Sequence, residues 1–306
     1  MTLQQLRYLC EVVDSNLSIS RAAEALHVSQ PGISRIIRQL EEELAVDILV
    51  RKGHRISGIT EEGKAVVHQA RMIMSIVREM RDVASDRNTR DHGQLNVATT
   101  HQQARYALLS TIQEFAREHP GVSLHFVQGS TTEIINWVSE GRMDLGIAAI
   151  PGKLPDNVVA LDAYDIEHCV IAPLGHPLLA MRKPGIRDIA RFPLVAYHES
   201  SNGGRVTLRE FRKHNLQPKI AMKATDAGVI KAYVAAGLGV AVIQTVAVDP
   251  GTDSEIRIVP NAYEFPSSMT SVILRKGRYL RGYAYDLLQA ISTTLDRKTV
   301  LDAIGR

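Results

Sequence analysis

The sequence predicts a mixed architecture: an all-α, winged helix-turn-helix head, a long linker helix, and an α/β carboxyl-terminal body. Three observations carry this expectation. Two short amphipathic helices joined by a tight turn occupy residues 18–40, an apolar seam follows over residues 66–84, and beyond residue 93 β-prone runs alternate with helical segments. A length of 306 residues leaves room for two or three modest domains.

In SISRAAEALHVSQPGISRIIRQL, Ser18 can cap a first helix whose apolar face is Ala22, Ala23, Ala25 and Leu26. His27 and Val28 form the turn. Ser29 caps the second helix, and Pro31 fits its first turn, where backbone N–H groups have no intrahelical acceptor. Ile33, Ile36, Ile37 and Leu40 recur at helical spacing as the buried side, leaving Ser29, Gln30, Ser34, Arg35 and Arg38 mostly on the other. Hydroxyls and amides reach base edges, and arginines reach guanine edges or phosphates. Two amphipathic helices with a solvated basic face also occur in ordinary all-α domains, so this stretch does not decide by itself.

The net charge of +3 is too small to mark the whole chain as a nucleic-acid binder. Locally the balance differs. Residues 29–40 carry Arg35 and Arg38, and residues 51–55 carry Arg51, Lys52 and Arg55, both without an acid. Such segregation suits a phosphate-facing surface. The amino terminus has neither a leading basic run nor a long apolar core, and no stretch approaches the ~18 apolar residues needed to span a bilayer. A cytoplasmic protein with no membrane partner is expected. Cys10 and Cys169 are too far apart for a CxxC site and are expected to be small buried hydrophobes; no metal and no cofactor is expected.

Leu3, Leu6, Leu9 (or Cys10) and Val13 predict a first helix packed behind the helix-turn-helix. AVDILVRKGHRISGIT reads as a β-hairpin wing around Lys52-Gly53-His54, placing Arg51, Lys52, His54 and Arg55 toward the DNA backbone or minor groove; a solvated basic turn is the alternative. Thr60 then caps a long helix with Glu61 and Glu62 in its first turn. Val66, Ala70, Ile73, Val77, Met80 and Ala84 follow at spacings of 4, 3, 4, 3 and 4, an a/d seam that predicts a homodimer unless its own chain covers it. Two reader units would then meet a roughly two-fold symmetric site.

LQQLRYLCEVV, SRAAEALHVSQPGISRIIRQLEEEL and TEEGKAVV, all within residues 1–67, resemble the LysR-type transcriptional regulators, with helix, turn, recognition helix, wing and linker helix in order. The resemblance implies double-stranded promoter DNA as a partner, homodimers paired into a homotetramer, RNA polymerase as a further partner, and an activator rather than an enzyme. Domain boundaries follow: 1–59 for the reader, 60–91 for the linker helix and hinge, and 92–306 for an effector-binding domain.

Beyond the polar hinge at 84–93, strands are expected at 94–100, 122–128, 143–150 and 168–173, with helices at 103–119, 131–141, near 203–214 and at 226–236. PLVAY, KIAMKAT and GVAVIQ continue the alternation, which argues for parallel sheets with ligands at the strand carboxyl ends. The family resemblance implies two Rossmann-like, periplasmic-binding-protein-like subdomains, 92–162 plus 268–306 and 163–267, around a cleft.

Thr99-Thr100-His101-Gln102-Gln103 joins a strand to a helix and offers hydroxyls, amides and free N–H groups to an anion; helix capping by Thr100 is the plainer alternative. Ser200-Ser201-Asn202-Gly203-Gly204 and Gln128-Gly129-Ser130-Thr131 are similar junctions. TTHQQARYALL and KATDAGVIKAYVAAGLGVAVI look like the CysB/Cbl branch of the family, which implies a small anionic effector of sulfur or cysteine metabolism: sulfate, acetylserine, thiosulfate or a sulfonate. Thr100 and Gln103 match that branch's ligand contacts, and Thr99, His101, Gln102, Ala149, Asn202 and Thr225 are expected beside them at the effector. The branch has hydroxyl side chains where Gln102, Ala149 and Asn202 stand. Asp226 can be a cleft residue or simply a helix-terminal acid, and Tyr164, His168, Tyr197 and His198 are read as structural.

Gly237-Leu238-Gly239 lacks the third glycine of a dinucleotide loop and runs from helix to strand, and neither a GxSxG elbow nor an HExxH helix occurs. Catalysis is therefore not expected. Two rival readings are a regulator sensing a carboxylate or aromatic acid, and a stand-alone small-molecule binding protein.

Overall fold

The computed structural model describes all residues except His54, 87–91, Pro151 and Ser200, and the described residues fall into two compact units. Half of the expected hinge, and the wing-tip His54, lie outside the described residues.

The first unit contains α1 (Leu3–Asp14), α2 (Ile19–Leu26), α3 (Gln30–Leu44), β1 (Leu49–Lys52), β2 (Arg55–Ile59) and α4 (Glu61–Asp86). Its helix starts are those the side chains dictate. Thr2 forms a capping box with Gln5, Ser18 accepts from the Arg21 N–H, and Ser29 accepts from the Gly32 N–H. α2 ends on His27 in the left-handed region (φ 54°), which turns the chain into α3. Leu6, Leu9, Val12, Ala22, Ala23, Ile33, Ile37 and Leu40 form one core, closed by Ile48 and Leu49 from the hairpin and by Val67 and Ala70 from α4. Ala25 stays exposed.

The linker-helix seam divides. Ala70 is buried in the first unit's own core, and Val66 and Ile73 pack against it while staying half-buried. Arg71 fastens this part of α4 to Asp14 of α1 at 2.6 Å. Val77 is half-buried, and Ile76, Met80 and Val83 remain exposed.

The second unit continues with β3 (Gly93–Thr99), α5 (Leu109–Glu118), β4 (Val122–Gln128), α6 (Thr131–Ser139), β5 (Leu145–Ala148), β6 (Val158–Ile166), β7 (His168–Pro173), α7 (Pro177–Ala180) and α8 (Ile186–Ile189). It is completed by β8 (Leu194–Tyr197), α9 (Asn202–Lys213), β9 (Ile220–Ala224), α10 (Ala227–Ala235), β10 (Ala241–Gln244), β11 (Ile256–Ile258), β12 (Ser268–Arg275), α11 (Gly282–Ile291) and α12 (Arg297–Ile304). One sheet runs β4-β3-β5-β12-β6. A second runs β10-β7-β11, and the β8-β9 pair joins it through a bridge between Leu194 and Val240.

The expected parallel sheets are in fact mixed. β3 is parallel to β4 and β5, but β12 returns antiparallel to β5 and β6, and β7 is antiparallel to both of its neighbours. β6 pairs with β12 from Ile166–Ser268 to Val158–Arg275, so the expected subdomain division at 162/163 falls inside a strand. The helix expected at 103–119 is also divided. Gln103–Ala107 forms a π turn, with the Leu108 N–H bonded to the Gln103 carbonyl, before α5 begins. A buried ion pair of Asp144 with Arg278 ties the first sheet to the segment after β12, and Asp144 also accepts from the Asn96 backbone N–H at 2.7 Å.

Candidate functional site

α3 and the hairpin build the first candidate surface. Ser34, Arg38, Arg51 and Arg55 line one groove of about 170 Å³. Ser29, Gln30, Pro31, Arg35 and Lys52 are exposed, and Gln30 donates to Ser20 of α2 at 2.6 Å, which steadies the start of α3. Gly53, at φ +61°, closes the hairpin between the paired Lys52 and Arg55. Arg51 differs from the other cations. Its guanidinium bonds Glu41 at 2.6 and 3.1 Å, and the same carboxylate accepts from the Ile48 and Leu49 N–H groups at 3.0 Å each. Burial pushes the Glu41 carboxyl up, but these four donors pull it below its ordinary value. Arg51, expected with Lys52 and Arg55 toward the DNA backbone, is thus a paired cation that joins the hairpin to α3.

The second candidate is a cavity of about 480 Å³ in the strand-rich unit. Four helical starts rim it, each with a capping side chain: Thr100 on Gln103 N–H (3.3 Å), Ser130 on Glu133 N–H (3.4 Å), Ser201 on Gly204 N–H (3.1 Å) and Asp226 on Val229 N–H (3.0 Å). Each cap satisfies one N–H and leaves the first-turn groups before it unpaired by the helix. Among the described residues no lysine or arginine lines the cavity, and its acid, Asp226, faces His101 at 3.2 Å; a negative charge there would be met by neutral donors and helix dipoles on the rim away from that carboxylate.

Of the expected effector contacts, Thr100, His101, Gln102, Gln103, Ala149, Asn202 and Thr225 do line this cavity. Thr99 does not. It is fully buried and donates to the Ile147 carbonyl at 2.9 Å, because the two-residue period of β3 turns it toward the neighbouring strand. Several lining residues are already bonded. Gln103 donates to Thr270 at 2.9 Å and accepts from the Tyr164 hydroxyl at 2.7 Å, which pins the π turn against β6 and β12. Gln102 donates to the Thr225 carbonyl at 3.3 Å. His101 sits between Gln128 (3.1 Å) and Asp226 (3.2 Å), so Asp226 is both a cap and a cleft residue.

Ile166, Gln244, Ser268 and Thr270 also line the cavity and escaped the sequence reading. Ile166, Gln244 and Ser268 sit at strand ends and Thr270 two residues inside β12, but the strands carrying Ile166, Ser268 and Thr270 were not foreseen. Ser268 is 7% exposed and its hydroxyl has no hydrogen-bond partner among the described residues. Behind this wall the Pro266 carbonyl accepts from His168 Nδ1 (3.0 Å), and burial holds that imidazole below its ordinary pKa. Cys10 and Cys169, expected to be buried, are half-buried in the structure, and desolvation raises both thiols to about 11. Among the described residues no cluster of His, Cys, Asp and Glu is placed to hold a metal ion, and no helix is long and apolar enough to cross a membrane.

Residues 3–64 match the family described as "Bacterial regulatory helix-turn-helix protein, lysR family", and residues 88–296 match "LysR substrate binding domain". The chain is 37% identical over 304 residues to the HTH-type transcriptional regulator CysB of Burkholderia cenocepacia, covering 99% of this chain and 97% of that protein. It is 36% identical to SsuR of the same organism (98% and 97% covered) and 31% identical to Cbl of Escherichia coli (96% and 93%). Among solved structures, a full-length OxyR variant of Pseudomonas aeruginosa aligns with a TM-score of 0.77 at 24% identity, covering 95% of this chain and 94% of that one. CbnR, solved with its target DNA, aligns at 0.65 and 19% identity, covering 95% and 99%. The chain thus belongs to the LysR family of bacterial transcriptional regulators, which are not enzymes, and is related to CysB, SsuR and Cbl.

Proposed function

We propose that this regulator binds promoter DNA in the cytoplasm as a homodimer, paired into a homotetramer, and activates transcription with RNA polymerase when a small anion of sulfur metabolism enters its cleft. The observation that carries the effector reading is the cavity rimmed by four capped helical starts, with no lysine or arginine among its described lining residues. Neutral donors and dipoles hold a compact oxyanion without the desolvation cost of burying a lysine or arginine as well. The relationship to CysB, SsuR and Cbl points to sulfur metabolism as its source.

For DNA, the exposed face of α3 supplies Ser29, Gln30, Ser34, Arg35 and Arg38, while Lys52 and Arg55 approach phosphates. The effector acts by differential affinity: it stabilises whichever arrangement of the cleft walls it contacts better, and only that difference moves the equilibrium. His101–Asp226 and Gln102–Thr225 join opposite walls of the cavity and are the contacts such a change would exchange.

Titration calorimetry of the full chain with sulfate, thiosulfate, O- and N-acetylserine, an alkanesulfonate and simple carboxylates tests the proposal. A saturable isotherm with a sulfur-pathway anion is expected. Binding of a carboxylate alone would keep the regulator and discard the sulfur link.

A further inference from the structure

The charge of the chain is unevenly placed. Of its 36 Lys and Arg and 33 Asp and Glu, residues 182–223 carry ten of the former and three of the latter. The remainder of the chain is net acidic, although it contains α3 and the wing. An excess of one sign this large within one stretch sets up a local field that the overall charge conceals.

The fold gathers the stretch onto one side of the second unit. Ile186 and Ile189 of α8, Phe211 of α9 and Leu194 of β8 belong to one core, so α8 and α9 cover the same face of their sheet. Tyr263 spans them: its N–H donates to the Pro184 carbonyl at 2.9 Å and its hydroxyl to Glu210 at 2.6 Å. Lys183 and Arg209 therefore adjoin the two ends of one tyrosine. Lys219, just before the edge strand β9, is tied to β8 by its carbonyl, which accepts from the Leu194 N–H at 2.8 Å. With the apolar side chains turned inward, Arg187, Arg209, Arg212 and Lys219 are exposed.

The three acids of the stretch each already face a cation: Asp188 with Arg191 (3.8 Å), Glu199 with Lys223 (2.8 Å) and Glu210 with Lys213 (3.5 Å). Arg182, Lys183, Arg187, Arg209 and Lys219 form no ion pair among the described residues. The segment carrying Tyr263 adds one exposed acid, Glu264. Screening at physiological salt acts over ~8 Å, so unpaired cations sharing a face sum their fields. The face also has no apolar anchor: among the described residues no large apolar side chain is exposed between Leu174 and Val229. Protein partners are held by aromatic and aliphatic side chains at the centre of an interface, whereas a phosphate backbone asks only for charge.

Resting on the reading that the chain binds promoter DNA, we infer that this face of the second unit is a further, sequence-independent DNA contact, and that Arg187, Arg209, Arg212 and Lys219 meet backbone phosphates other than those met by the first unit. The reader sets the sequence. The face lengthens the stretch of duplex held and steepens the salt dependence of binding.

The experiment is an anisotropy titration of the full-length chain with a mixed-sequence duplex of about sixty base pairs, repeated over a range of salt concentrations. One variant combines Arg187→Gln, Arg209→Gln and Lys219→Gln. A second combines Lys153→Gln, Lys276→Gln and Lys298→Gln, which removes as many exposed charges from elsewhere in the second unit. Surface substitutions of this kind leave the fold intact. Log affinity falls against log salt by about 0.9 for each phosphate neutralised, so the first variant should lose about two to three units of slope and bind about tenfold or more weakly at physiological salt. The second should keep the parent's slope. Equal slopes for the parent and the first variant would overturn the inference, leave reading by the first unit standing, and assign the face to an acidic protein instead. An equal loss in both variants would overturn it too, by reducing the effect to net charge. A parent that does not bind the duplex at low salt would overturn the DNA reading itself, and this inference with it.

Discussion

Glu41 is nine-tenths buried at the end of the recognition helix and holds the wing through three partners: the Arg51 guanidinium and the Ile48 and Leu49 backbone groups. Glu41→Gln removes the charge but keeps the size, leaving Arg51 without its counter-ion, and should cost about 1–3 kcal/mol in urea denaturation of the full chain. The pH dependence has a definite sign. Because the folded carboxyl lies below its ordinary value of 4.5, its contribution is present above that pH and lost as pH falls through the folded value. The gap between parent and variant should therefore narrow below about pH 4.5. Arg35 has the opposite character: exposed on the outer face of α3, it is free to reach a base edge. Arg35→Ala should weaken specific promoter binding by about 1–3 kcal/mol in an anisotropy titration. Unchanged affinity and specificity would remove it from the reading surface.

At the scale of elements, α4 serves two purposes along its length. Its first half presents Val67 and Ala70 to the core behind the helix-turn-helix, and beyond it Ile76, Met80 and Val83 recur at spacings of 4 and 3 with their side chains exposed. That second stretch is where a dimer contact would lie. Met80 is 69% exposed, so Met80→Glu should leave the fold intact while weakening self-association at least tenfold in sedimentation velocity. A variant that sediments as the parent does would move the dimer contact elsewhere. The π turn at Gln103–Ala107 shows how a helix start is reset by distant partners. Tyr164 and Thr270 hold the Gln103 amide, and the chain takes one extra residue in the turn to place it there.

Over the whole molecule, the reader and the effector cavity belong to separate compact units, so a change in one need not unfold the other. Thr100→Ala should abolish the effector isotherm measured by calorimetry while leaving promoter affinity unchanged, since Thr100 caps a helical start at the cavity and lies outside the DNA-reading unit. The lost cap costs only about 1 kcal/mol, which a buried core of this size can bear. A normal isotherm in that variant would refute the place assigned to the effector.

The sequence by itself determined the parts whose signals are local. Ser18, Ser29 and Thr60 mark helix starts by capping chemistry, Ile33, Ile37 and Leu40 mark a buried face by spacing, and Lys52-Gly53 marks a hairpin by turn chemistry. The junctions at Thr100, Ser130, Ser201 and Asp226 were legible for the same reason, and with them the rim of the cleft. Only the tertiary structure decided what depends on partners far along the chain. Pairing of β6 with β12 joins residues about a hundred positions apart and brings Ile166, Ser268 and Thr270 to the cavity. The neighbouring strand claims Thr99, Glu41 claims Arg51, and the first unit's own core claims Ala70 of the linker seam. In each case a side chain of suitable type has two possible environments, and long-range burial and hydrogen bonding, which no short window of sequence contains, select between them.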